Sequence, residues 1–199
     1  PGIARKDPDF MAAYIINHIL GGGSSDSRLY QEVREKRGLA YSVSNSLIWL
    51  DHSAVFLGGT ATRADRTDET LDLIEKEIHR FAEQGPTAAE LAEAKNYVIS
   101  SFALNLDTST KIASLLVQLQ RDDLGIDYIQ RRTAMIDAVT VDDAKRVAKR
   151  LLDNGMLVTV VGGPQGVASA KTASDPPGSS RRVAPLAGPP MGAANSELR

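Results

Sequence analysis

The chain contains no cysteine among its 199 residues and only three histidines. Disulfide bonds and cysteine-based metal sites are therefore excluded, although a lack of cysteine does not name a compartment. Its 23 Lys and Arg residues against 25 Asp and Glu residues give a formal net charge of −2. That balance argues against a dedicated nucleic-acid-binding protein, because such proteins carry a strong basic excess. No apolar run approaches the roughly 20 residues that a membrane-spanning helix requires.

The histidines do not form a zinc-binding motif. His18, His52 and His79 occur in neither His-x-x-Glu-His nor its inverse. Glu75 and His79 have the i,i+4 spacing that could chelate a metal ion from one helix face. They lie off the apolar stripe of their helix and no third ligand is evident. A solvated Glu–His pair is the favoured interpretation, because such pairs are common on helix surfaces.

Hydrophobic content of 42% and charged content of 24% are typical of a soluble globular protein. The length is sufficient for one well-buried domain. Apolar periodicity and capping signals predict helices, and apolar alternation predicts strands. The helices are expected over residues 9–20, 27–37, 65–85, 87–102, 107–119, 127–135 and 140–152, and the strands over 40–50, 54–62 and 156–161. The fold class is therefore α+β, with a mixed or antiparallel sheet packed against several helices.

Three details of this prediction concern side-chain placement. In the first strand, alternation puts Tyr41 on the same face as Val43. In the second strand, Gly58 and Gly59 indicate a bulge or a close backbone approach. The helix that starts near residue 107 is expected to turn four residues inward. These are Ile112, Leu115, Leu116 and Leu119.

The composition changes after Pro164 to Ala, Gly, Pro and Ser. A segment of this kind cannot bury enough apolar area to offset its chain entropy. We therefore expect one domain over residues 1–163 and a disordered tail over residues 164–199.

A glycine run at residues 21–23 separates the first two helices, and Gly38 is a candidate left-handed cap for the second. A phosphate-binding loop requires Gly-Lys-Ser/Thr at its end, whereas Gly23 is followed by Ser24, Ser25 and Asp26. The dinucleotide fingerprint also fails, because Asp26 occupies the place of its last glycine. A break that allows close packing of two helices is favoured over a nucleotide-binding module.

The stretch after the glycine run carries the most specific signal in the chain. Residues 27–43 read S-R-L-Y-Q-E-V-R-E-K-R-G-L-A-Y-S-V. Together with the glycines before it, this run resembles the second-domain signature of the insulinase/pitrilysin metallopeptidases. This family of inverted zincins includes mitochondrial processing peptidase and its bacterial relatives. The resemblance extends over roughly residues 1 to 163, and it implies that the opening strands of the domain precede Pro1.

The resemblance implies paired homologous α+β domains that enclose a chamber and have different roles in the reaction. One domain holds zinc through His-x-x-Glu-His and a downstream Glu. The facing domain supplies an Arg and a Tyr, spaced as Arg34 and Tyr41 are, which bind the substrate carbonyl at the zinc. This chain has no zinc motif, so it is expected to be the partner half, inactive alone, with Arg34 and Tyr41 as its catalytic and substrate-binding residues.

Two further expectations follow from the resemblance. The cofactor is zinc held by the partner domain or subunit, and the substrate is a peptide or an unfolded polypeptide. An alternative stays open, in which the chain belongs to a family member that has lost peptidase activity and serves assembly. Without the resemblance, an Arg in a charged helix is an ordinary surface residue, and a Tyr at a strand start is ordinary packing.

Overall fold

A computed structural model describes residues 1–22 and 25–162 of the chain. It contains two antiparallel strands and a set of helices, which confirms the α+β class. The expected tail, residues 164–199, lies outside the described residues. The strands are β1 (Ala40–Trp49) and β2 (Ala54–Thr62), and the α-helices are α1 (Phe10–Leu20), α2 (Thr67–Gln84), α3 (Ala88–Leu104), α4 (Ser109–Arg121), α5 (Tyr128–Asp137) and α6 (Val141–Leu152). A π-helix, Tyr30–Glu35, precedes β1, and a short 3₁₀ turn, Ala64–Arg66, precedes α2.

Helix α1 forms the centre of the core. Its sequence is apolar on nearly every side, and Ala13 and Ile15 are fully buried. A helix of that kind is stable only when other elements surround it. Helices α3, α5 and α6 and strand β1 all pack against α1. The π-helix and β1 are therefore positioned by a rigid core.

Strands β1 and β2 form a hairpin, closed by a hydrogen bond from the Leu50 amide to the Ser53 carbonyl of 2.8 Å. The inner face of β1 buries Val43, Asn45 and Leu47, as alternation predicts. The predicted bulge at Gly58 and Gly59 is wrong, because these residues pair in register with Asn45 and Ser44. The irregularity lies instead at the start of β1, between Ala40 and Ser42.

Capping residues fix the starts of two helices as predicted. The Thr87 side chain accepts a hydrogen bond from the Glu90 amide, and the Glu90 carboxylate accepts one from the Thr87 amide. Thr140 and Asp143 form the same reciprocal pair at the start of α6. Each capping box satisfies two backbone N–H groups that a helix end would otherwise leave unpaired.

Ion pairs attach the N-terminal segment to α6. Arg146 donates to Asp9 at 2.7 Å, and Arg150 donates to Asp7 at 2.7 Å. The hydrogen bond from Arg150 lowers the pKa of Asp7, and the one from Arg146 lowers the pKa of Asp9. Both carboxylates are therefore stabilised in their charged form.

Two predictions about apolar segments are wrong in part or in whole. On α4, Leu119 is buried and Leu115 packs partly buried against the core, whereas Ile112 and Leu116 are exposed, because the described elements do not cover their side of the helix. Residues 156–161 form no strand. A strand needs a hydrogen-bonding neighbour, and the described ladder joins only β1 and β2. None of the described helices has both the length and the apolar character needed to cross a membrane.

Candidate functional site

The segment that carries Arg34 is helical, as predicted, but it is a π-helix over Tyr30–Glu35. Its wider turn is visible in the hydrogen bond from the Lys36 amide to the Gln31 carbonyl, five residues back, at 3.0 Å. Val33 is completely buried in this turn, and Arg34 is part-exposed beside it. π-Helical turns are rare and often occur at functional sites.

Gly38 ends this segment as the predicted left-handed cap. Its φ angle is +58°, a value that costs a residue with a Cβ atom more than it costs glycine. Its amide donates to the Arg34 carbonyl at 2.9 Å, and the Leu39 amide donates to the Val33 carbonyl at 2.9 Å. The chain then enters β1, so two rigid elements set the separation of Arg34 and Tyr41.

A β-bulge places Tyr41 at the surface. Ala40 pairs with Thr62 and Ser42 pairs with Ala61, so Tyr41 has no opposite residue in the ladder. The prediction that Tyr41 shares the inner face of Val43 is therefore wrong: Tyr41 is 81% exposed, whereas Val43 is 6% exposed. Bulges of this kind redirect a side chain and are common next to active sites.

Arg34 lies between two tyrosine rings. Its guanidinium carbon is 4.8 Å from the ring centroid of Tyr30 and 5.1 Å from that of Tyr41. Its Nη1 donates a hydrogen bond to the Tyr30 hydroxyl. In the described part of the chain, the nearest carboxylate oxygen, on Glu35, is 3.9 Å from Arg34 Nε, too far for a hydrogen bond. The structure thus brings together both residues predicted for the site and adds Tyr30.

The cluster of Tyr30, Arg34 and Tyr41 can donate hydrogen bonds to an oxygen atom. A guanidinium has several N–H donors and a phenol has one. Among the described residues, only the Tyr30 hydroxyl accepts from the Arg34 guanidinium, and none hydrogen-bonds the Tyr41 hydroxyl. A polar oxygen on a ligand could therefore be bound by both side chains at the surface.

The helical segment begins at Arg28, two residues before the π-helix, and Arg28 holds this end in place. Its Nε and Nη2 donate to the two carboxylate oxygens of Glu90, at 2.7 and 2.8 Å. Nη2 also donates to the Gly85 carbonyl at 3.2 Å, and the guanidinium carbon lies 4.7 Å from the Phe81 ring centroid. Burial alone would raise the pKa of Glu90, but hydrogen bonds from Arg28 and Thr87 outweigh it and lower that pKa to about 2. Arg28 therefore fixes the segment to α2 and α3.

The described part of the glycine run supports the packing interpretation. The backbone amide of Asn45 donates a hydrogen bond to the Gly21 carbonyl at 3.0 Å. A Cβ atom on Gly21 would lie 2.0 Å from Asn45 Oδ1, so a side chain there would collide with β1. The nearest neighbour of that Cβ position is therefore β1, and Leu29 Cδ1 at the start of the second helical segment also lies 3.2 Å from it. Gly23 and Ser24 lie outside the described residues.

The histidines do not assemble into a zinc site. His79 Nε2 lies 3.8 Å from Glu75 Oε1 and both side chains are exposed, which confirms a solvated pair. His18 stacks on Tyr97 with ring centroids 4.5 Å apart, and burial lowers its pKa. Across residues 1–22 and 25–162, no three His, Asp or Glu side chains come together as metal ligands. The described residues therefore do not provide the three protein ligands that a catalytic zinc site requires.

The contact between Tyr30 and Arg34 was not predicted from the sequence. The signal was present: Tyr30 and Arg34 have i,i+4 spacing, at which side chains meet on one helix face. The sequence contains no comparable signal for the bulge at Tyr41, because the alternation of buried and exposed residues continues normally from Val43 onward.

Residues 1–98 match the family described as the peptidase M16 inactive domain. An uncharacterized zinc protease of Streptomyces coelicolor is 32% identical over 165 residues, which cover 81% of this chain and 35% of that protein. A Helicobacter pylori protein named as a non-peptidase homolog is 30% identical over 100 residues, which cover 50% of this chain and 23% of that protein.

A solved structure shares the fold. The crystal structure of a peptidase M16 inactive domain from Pseudomonas fluorescens has a TM-score of 0.70 and 32% sequence identity to this chain. The matched region covers 76% of this chain and 36% of that one. This chain therefore spans about a third of the length of the Streptomyces and Pseudomonas proteins.

Proposed function

Because this chain belongs to the peptidase M16 family, as one of its inactive domains, we propose that it is the substrate-binding half of a zinc metalloendopeptidase. In this proposal Arg34 and Tyr41 donate hydrogen bonds to the scissile carbonyl of a peptide or an unfolded polypeptide. The zinc is held by a homologous domain or subunit that carries His-x-x-Glu-His. When bound there, it supplies the Lewis acid for attack by water.

The observation that carries the proposal is the pairing of Arg34 and Tyr41 at the surface. The guanidinium carbon is 5.1 Å from the Tyr41 ring centroid, and the π-helix, the Gly38 cap and the bulge together fix that separation. A carbonyl under attack develops negative charge on its oxygen. Preorganised donors aimed at that oxygen lower the barrier because they need no rearrangement during the reaction.

The alternative is a family member without peptidase activity that serves assembly. The Helicobacter pylori relative named as a non-peptidase homolog supports this candidate. The two candidates differ in what they require of the rest of the protein. The peptidase candidate requires a His-x-x-Glu-His motif in a partner domain or subunit, and the assembly candidate does not.

The proposal is tested with Arg34→Ala and Tyr41→Phe in the zinc-loaded protein, with the zinc-bearing half present in the same chain or as a subunit. Each substitution is expected to lower kcat by about 10²-fold, as loss of one oxyanion donor does. Zinc content is expected to stay unchanged. Lys36→Ala and Tyr97→Phe are the matched controls, because they remove an exposed cation two residues from Arg34 and an exposed phenol on α3.

Tyr41→Phe is the more selective of the two variants because it removes only a hydroxyl. Cleavage by Tyr41→Phe at the parent rate would exclude Tyr41 from the reaction. The same result for Arg34→Ala would exclude the site as a whole. A parent protein that binds no zinc and cleaves no peptide with its partner half present would favour the assembly candidate.

A further inference from the structure

We infer that Tyr30 is a positioning residue that holds the Arg34 guanidinium in the orientation needed to bind the substrate carbonyl. This inference rests on the proposed function of Arg34. Two contacts join the residues: Arg34 Nη1 donates to the Tyr30 hydroxyl, and the guanidinium carbon lies 4.8 Å from the Tyr30 ring centroid. The hydrogen bond fixes the direction of one N–H group, and the contact with the ring limits where the guanidinium can lie.

Tyr30 is suited to this role because it is itself anchored. Its ring is partly buried and packs against the hydrophobic core. It lies on the same π-helix as the fully buried Val33. Glu35 could not replace it, since its side chain is half exposed and 3.9 Å from Arg34 Nε. Among the described residues, Tyr30 is the single hydrogen-bond acceptor of the Arg34 guanidinium.

The hydrogen bond to Tyr30 leaves Arg34 with unused donors. Within residues 1–22 and 25–162, only one of the guanidinium nitrogens is engaged in a hydrogen bond, and the side chain is 37% exposed. A free arginine side chain has many rotamers, and fixing one of them opposes binding. Because Tyr30 restricts the rotamers before substrate arrives, the remaining N–H groups are aimed in advance. The geometry therefore assigns Tyr30 an effect on kcat through Arg34, without contact to the substrate.

The test compares Tyr30→Phe, Arg34→Ala and the double variant in the zinc-loaded protein with its zinc-bearing half. Tyr30→Phe keeps the ring and removes the acceptor, so we expect kcat to fall about tenfold with KM within about twofold of the parent. In the Arg34→Ala background, Tyr30→Phe is expected to lower kcat no further, because its effect passes through Arg34. Tyr14→Phe is the control, since Tyr14 is another partly buried tyrosine that packs on the core.

A second readout does not depend on activity. In arginine-¹⁵N NMR spectra of the same protein, the Arg34 guanidinium N–H signals are expected to be resolved in the parent and in Tyr14→Phe. They are expected to collapse in Tyr30→Phe, where rotation of the guanidinium is no longer restricted. Unchanged Arg34 signals in Tyr30→Phe would overturn the inference.

The kinetic outcomes separate the two proposals. Arg34→Ala at the parent rate overturns the proposed function. A large loss in Arg34→Ala with a parent kcat in Tyr30→Phe leaves the proposed function standing and overturns the role of Tyr30. An equal further loss from Tyr30→Phe in the Arg34→Ala background also overturns it, because additivity shows a separate structural effect. A tenfold loss absent from the double variant supports it.

Discussion

The two ends of the helical segment before β1 each carry an arginine, and their surroundings differ. Arg28, at the start, is 14% exposed and is bound by Glu90 and the Gly85 carbonyl. Arg34, near the end, is 37% exposed and makes one side-chain hydrogen bond within the described part of the chain, to Tyr30. Both guanidinium groups also lie over aromatic rings.

The difference separates a structural arginine from one that is available to a ligand. A guanidinium whose donors are paired with a carboxylate in a fork geometry stabilises the fold, and it has little left to offer a substrate. A guanidinium held by one neutral hydroxyl and flanked by rings keeps its direction and most of its donors. We call the start of the segment, at Arg28, the anchored end, and the part at Arg34 the open end. The anchored end holds the segment that carries the open end.

The comparison predicts its largest stability difference between Arg28→Ala and Arg34→Ala. Removal of Arg28 leaves the Glu90 carboxylate without its partner, so we expect the free energy of unfolding to fall by about 2 to 3 kcal/mol. Arg34→Ala breaks one part-exposed hydrogen bond and is expected to change the free energy of unfolding by less than about 1 kcal/mol. Urea unfolding of both variants measures the difference. Equal losses would show that the two ends are not distinct.

The next effect in size is the pH dependence of the stability that Glu90 contributes at the anchored end. The pKa of Glu90 is lowered from 4.5 to about 2 in the fold, so its contribution is present above pH 4.5 and is lost as the pH falls towards 2. At pH 7, Glu90→Gln is expected to lower the free energy of unfolding by about 1.5 kcal/mol, with allowance for solvent screening of a part-exposed carboxylate.

Urea unfolding of the parent and of Glu90→Gln from pH 7 down to pH 2 measures this effect. The stability difference between them is expected to shrink over that range, and other carboxylates cancel because both proteins carry them. Glu93→Gln, at an exposed position on the same helix, is the control. If the difference in the free energy of unfolding between the parent and Glu90→Gln stays constant with pH, the charged form of Glu90 does not stabilise the anchored end.

The smallest effect concerns the cap of the open end. Gly38 and Gly59 both have space for a methyl group, but only Gly38 has a positive φ, at +58°. Gly38→Ala is therefore expected to lower the free energy of unfolding by about 1 kcal/mol. Gly59→Ala is expected to leave it unchanged or raise it by about 0.5 kcal/mol, because alanine restricts the unfolded chain. Thermal unfolding of the pair measures the difference, and equal effects would exclude backbone conformation as the cause.

Local chemistry made most of the helices predictable. Thr87 and Thr140 mark helix starts because their hydroxyls satisfy free amides, and this depends only on neighbouring residues. The hairpin was predictable for the same reason. The pair of Arg34 and Tyr41 came from the resemblance, and their composition alone indicated surface charge and packing. Their roles stay predictions, although the structure brings the two side chains together.

Features that depend on distant parts of the chain were not predictable. The apolar pattern of α4 shows which residues share a face, but it cannot show whether another element covers that face, and Leu116 is exposed. Residues 156–161 have the composition of a strand, but a strand also needs a neighbour. The exposure of Tyr41 depends on how Ala40 and Ser42 pair with β2, and a single strand does not contain that information.

The bulge at Tyr41 has a consequence for sequence comparison. Because strand residues alternate between faces, the unpaired position shifts the count by one between Ala40 and Ser42. Insertion of one residue between Ala61 and Thr62 would give Tyr41 an opposite residue in β2. Regular alternation would then place Tyr41 on the inner face with Val43, although every residue of β1 is retained. In alignments of this domain, a one-residue insertion at that point of β2 therefore predicts loss of the exposed Tyr41 even where Arg34 and Tyr41 are both retained.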